Sequence, residues 1–74
     1  MQRVKVSNTD TDVLNEQAEY QGTIRGDYAI GFHALIDGHR LSNRVYPRPE
    51  LAELAILDAQ AVRSLFAQLT PQNR

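Results

Sequence analysis

His33 and Ser42 come closest to a reactive pair in this sequence. The Asp37-Gly38 turn predicts a hairpin register that sets them directly across from one another. A serine beside a histidine is the start of a nucleophile and its base. The rest of such a centre is missing. No acid is placed to orient the histidine, no oxyanion donor is evident, and an open sheet face does not exclude water. The chain has no cysteine to serve instead. It carries no His-Glu-x-x-His zinc pattern, no Walker loop and no Gly-x-Ser-x-Gly elbow. The run from Gly26 to Gly31 lacks the spacing of a dinucleotide loop. Asp10-x-Asp12 opens like a calcium loop, but no glycine, third ligand or closing glutamate follows. Two histidines, His33 and His39, make a weak metal site. The residues predict no enzyme, no metal and no cofactor.

The charges are better organised. In the predicted register Arg25, Arg40 and Arg44 share one sheet face with His33 and Tyr46, while Asp27 and Asp37 fall in turns. Arg3 and Lys5 join that face if Val4 and Val6 point to the core. Glu50, Glu53 and Asp58 stand against Arg63 on the helix. A chain of net charge −1 thus gains a positive sheet face and a negative helix side. Arginine forks onto carboxylates, and tyrosine adds amphipathic contact area. Arg25, Arg40, Arg44, His33 and Tyr46 are therefore expected to contact an acidic partner protein. The competing reading is an ordinary solvated sheet face.

Those positions depend on the elements that carry them. Residues 1–19 read as a strand and a loop. Residues 3–7 alternate, residues 8–12 are turn formers, and residues 13–19 suggest a loop with a helical turn capped by Thr11 or Asp12, the alternative being the approach to the next strand. Residues 20–46 read as antiparallel strands: 20–25, a Gly26-Asp27 turn, 28–36, the Asp37-Gly38 turn, and 39–46. This register pairs Ile36 with His39, Ala34 with Leu41, Phe32 with Asn43 and Ile30 with Val45. It makes Tyr28, Ile30, Phe32, Ala34, Ile36, Leu41 and Val45 a core face. Residues 49–69 read as a helix, opened by Pro49 and stopped by Thr70-Pro71, with 70–74 a tail. Its apolar stripe is Leu51, Leu54, Ala55, Ala59, Val62, Leu65, Phe66 and Leu69. Asp58 interrupts the stripe, either capping a second segment after a kink or pairing with a sheet cation. Ile56 and Leu57 point away from it and are the expected self-association surface of a homodimer.

The predicted class is α+β, an antiparallel sheet of three to four strands packed on one C-terminal helix, in one small domain over residues 1–74. A chain this short buries only about 60–65% of its unfolded surface, and it has no disulfide to add stability. It has no apolar run of membrane-spanning length and no signal-peptide core, so a cytoplasmic protein without membrane contact is expected. Over Tyr20–Leu69 the order of strands then helix resembles, in architecture alone, AP2-type and integrase arm-binding domains. That resemblance implies a nucleic-acid-binding sheet face. The low net charge and the few cations weigh against it. The first expectation is a small non-catalytic binding or regulatory module for an acidic protein, and nucleic-acid binding is the alternative.

Overall fold

The computed structural model describes residues 2–69, with side chains through residue 68. The expected stop at Thr70-Pro71 and the tail lie outside the described residues. Five strands run β1 (Gln2–Lys5), β2 (Asp10–Leu14), β3 (Tyr20–Asp27), β4 (Gly31–Ile36) and β5 (His39–Arg40), followed by α1 (Pro49–Leu69). The strands form one antiparallel sheet in the order β1-β2-β3-β4-β5. The helix packs on β3 and β4, so the class is α+β, with five strands rather than three or four.

The additional strand is β2. Its aspartates disfavour strand structure in isolation. Here Asp10 pairs with Arg25 and Asp12 with Thr23 across the ladder, and Val13 is fully buried. Local side-chain chemistry closes the hairpins around it. Ser7 Oγ accepts the amides of Thr9 and Asp10. Asn15 Oδ1 accepts those of Gln17 and Glu19. The helical turn expected over 13–19 is thus strand end followed by an asparagine-stapled turn. At Val13/Leu14 the β2–β3 register slips: Val13 faces Gly22, but Leu14 faces Tyr20. Gln21 is the extra residue of a β-bulge.

Later turns also move. The β3–β4 turn lies at residues 28–30, not at Gly26-Asp27. The Asp27 carboxylate accepts the Ala29 and Ile30 amides, and Gly31 supplies the positive φ that returns the chain. Tyr28 and Ile30 are consequently turn residues, and both are exposed. The Asp37-Gly38 hairpin forms as expected, with positive φ at both residues. Beyond Leu41 the chain leaves the ladder. It returns at Tyr46, which exchanges both backbone hydrogen bonds with Phe32 at 2.8 Å. Phe32 therefore pairs with Tyr46 rather than Asn43. A side chain on Gly31 would collide with Val45, so the excursion rests on that glycine.

The helix matches its expected bounds but presents another face. Ala52 and Ile56 are its fully buried residues, and with Val13, Ile24, Phe32 and Ala34 they form the core cluster. Tyr46 and Ala55 pack against it. Leu51, Leu54, Val62, Leu65 and Phe66 are all exposed. The helix is rotated roughly a third of a turn from the expected orientation. The reason lies in β3. A Cβ on Gly22 would stand 2.6 Å from Ile56 Cγ2, so the glycine is the recess that receives the isoleucine. Alanine beside it permits close approach, which the larger leucines would prevent. Gln60 Nε2 donates to the bulge carbonyl of Gln21 at 2.8 Å, a further tie between helix and sheet. Residues 61–68 are exposed throughout, about 12 Å of helix reaching past the sheet.

Candidate functional site

Strand parity separates the charged residues expected to act together. Arg3 lies opposite Val13 and Lys5 opposite Thr11, so both point toward the helix side. Arg3 Nε meets Glu53 Oε1 at 3.1 Å. The outer face carries Asp10, Asp12, Thr23, Arg25, His33, Leu35 and Arg40. Acids therefore do share outward strand positions, because residues 10–14 form a strand and not a turn. The uniformly positive face is replaced by a mixed one.

Most of that face is bonded internally. Arg25 forks onto Asp10, Nε to Oδ1 at 2.9 Å and Nη2 to Oδ2 at 3.2 Å. Thr23 donates to Asp12 Oδ1 at 3.0 Å. Tyr20 then donates to Thr23 Oγ1 at 2.8 Å and accepts the Asp37 amide. The bulge swings Tyr20 to this side, beside Leu35, which is buried here apart from the main cluster. His33 faces Arg25 across the ladder, and its Nδ1 is buried without a hydrogen-bond partner. Ser42 lies in the excursion, where its Oγ accepts the Arg44 amide. The expected His33–Ser42 pairing is absent because the register ends before it. Among the described residues, no three metal-ligating side chains cluster and no helix is long and apolar enough to cross a membrane.

The Asp10–Arg25 fork has a pH signature. The hydrogen bond from Arg25 holds the Asp10 carboxyl below its ordinary value of 3.8; burial opposes it, and the charge of Arg25 adds a lesser lowering. A lowered folded pKa adds stability above the unfolded value and loses it as pH falls through the folded one. Arg25→Gln is expected to be less stable than the native chain at about pH 6, with the gap closing in acid well below the ordinary carboxylate value of 3.8. The gap will be small, since the pair is largely exposed. Urea unfolding at both pH values checks this. A gap that widens in acid contradicts the assignment.

The five expected contact residues are thus split. Arg25, His33 and Arg40 belong to the outer face. Arg44 and Tyr46 line a groove of about 270 Å³ with Leu51, Leu54, Ala55 and Asp58, because the excursion carries them toward the helix. Asp58 is exposed in an uninterrupted helix, so it neither caps a kinked segment nor pairs inside the core. Ile56 is fully buried and Leu57 half-buried, which corrects the outward Ile56-Leu57 surface expected for a homodimer. The surface that sequence reasoning missed is the large-residue stripe of Leu51, Leu54, Val62 and Leu65. Its signal was present as a second helical stripe, Ala52 and Ile56 beside the small Ala55 and Ala59 of the first. No family model, curated protein or solved structure matches this chain.

Proposed function

We propose that this protein is a non-catalytic binding module that receives an acidic, amphipathic segment of a partner protein. The observation that carries this reading is the exposed leucine stripe beside free arginines. Leu51, Leu54, Val62 and Leu65 are each more than 40% exposed. On the adjoining segment Arg44 and Arg48 are exposed, and neither has an ion pair among the described residues. Leucines without cover favour a protein surface that removes them from water. Arginines at the rim favour carboxylates, by forked hydrogen bonding and by speeding encounter. Asp58 repels acids at the other side of the groove and so gives the segment a direction. Arg25 is engaged on both arms of its fork by Asp10, which weakens the nucleic-acid alternative by removing a cation from the sheet face.

The test is charge reversal on an identified partner. Affinity capture from the native host names the partner, and titration with purified protein then measures binding. Reversing Arg44 and Arg48 to glutamate is expected to slow association at least tenfold at low salt, with the difference shrinking as salt screens it. Equal association rates for native and reversed proteins would remove the arginines from the interface. Preferential, steeply salt-dependent binding to nucleic acid would favour the alternative reading.

A further inference from the structure

A second concavity lies on the other side of the helix start. The helix begins at Pro49, so the corner of the sheet in front of it is uncovered. A cleft of about 300 Å³ opens there. That volume is at the small end of the range for small-molecule sites. Arg3, Lys5 and Thr11 form one wall, and Tyr28, Phe32 and Pro49 the other. It shares no lining residue with the groove of Arg44 and Asp58.

The two walls differ in chemistry. Lys5 has no ion pair among the described residues, and Arg3 meets Glu53 at its Nε, 3.1 Å from the carboxylate. The acid at the cleft, Asp27, is occupied by the Ala29 and Ile30 amides. Opposite the cations, Tyr28 and Phe32 stand edge to face, with centroids 5.1 Å apart. Phe32 is fixed by burial, whereas Tyr28 is 75% exposed. A third ring is the natural complement of such a pair. An anion at its end completes the match, because ammonium and guanidinium groups bind oxyanions through charge-assisted hydrogen bonds.

We propose that this cleft binds a small aromatic molecule carrying one anionic group, its ring against Tyr28 and Phe32 and its anion on Lys5 and Arg3. The site is independent of the partner surface. The test is a nuclear magnetic resonance titration of the full chain with phenyl phosphate. Benzyl alcohol serves as the ring without charge and inorganic phosphate as the charge without a ring. Phenyl phosphate is expected to produce saturable shifts at Lys5, Thr11, Gly26 and Tyr28, and to bind about tenfold more tightly than either control. Lys5→Met, which keeps the stem and removes the charge, is expected to weaken it about tenfold. Tyr28→Ala should weaken it as well. Equal binding of either control overturns the proposal, as do shifts centred elsewhere or an affinity indifferent to Lys5→Met. The three-probe comparison on the native chain decides the matter alone if a variant loses its fold.

Discussion

Replacing Ile56 by alanine is expected to destabilise the protein by about 2–5 kcal/mol. Native domains hold about 0.05–0.15 kcal/mol per residue, so a chain of this length has roughly 4–11 kcal/mol to lose. The side chain is fully buried at the centre of the cluster that joins helix to sheet. Its removal opens a cavity between two rigid elements that cannot readily close on it. The reciprocal change reports on the same contact. A Cβ at Gly22 would meet Ile56 Cγ2 at 2.6 Å and the Leu35 carbonyl oxygen at 2.7 Å. The isoleucine can shift, but the carbonyl belongs to the ladder and cannot without breaking it. Gly22→Val is therefore expected to cost about 1–3 kcal/mol or more, as overpacking does. In the double variant Ile56→Ala with Gly22→Val, the penalties should combine to less than their sum, since the truncated isoleucine relieves part of the collision. Urea unfolding measures all of these. An Ile56→Ala variant within about 0.5 kcal/mol of the native chain would contradict the packing described.

That contact explains which parts of the fold were legible in the sequence. Asp37-Gly38 and Pro49 act through their own backbone preferences, so the hairpin turn and the helix start could be read from neighbours alone. The strand at residues 10–14 could not. Its aspartates look like turn residues until Arg25 and Thr23, more than ten positions away, are placed beside them. The excursion after Leu41 depends on Val45 lying against Gly31, again a non-local fit. The helix orientation was misread for a related reason. Hydrophobic periodicity selects the face with most apolar volume, whereas this sheet, with glycine at the crossing point, admits the face that comes closest. The candidate site inherited both errors. Arg44 and Tyr46 moved with the excursion, and the leucine stripe was assigned to the core. Strand parity correctly kept Arg25, His33 and Arg40 together, but without the aspartates that now accompany them.

Leu54→Asp and Leu65→Asp are expected to separate stability from binding. Leu54 and Leu65 are both 55% exposed. Aspartate there forfeits little native packing, and the change in unfolding free energy should stay within about 1 kcal/mol. Buried in the apolar centre of an interface, the same carboxylate would be desolvated and would also face an acidic partner. Loss of a central anchor commonly costs about 2 kcal/mol or more, so affinity should fall by roughly thirtyfold or beyond. The contrast with Ile56→Ala is the informative part: one substitution weakens the fold, the others weaken the complex. If both leucine variants bind the identified partner as tightly as the native chain, the helix face is not its docking surface. If instead either variant unfolds as readily as Ile56→Ala, the stripe is packed in solution, and a second copy covering it becomes the direct explanation. Sedimentation of native and variant proteins distinguishes that case, because a dimer held by this face must dissociate when a carboxylate is placed at its centre.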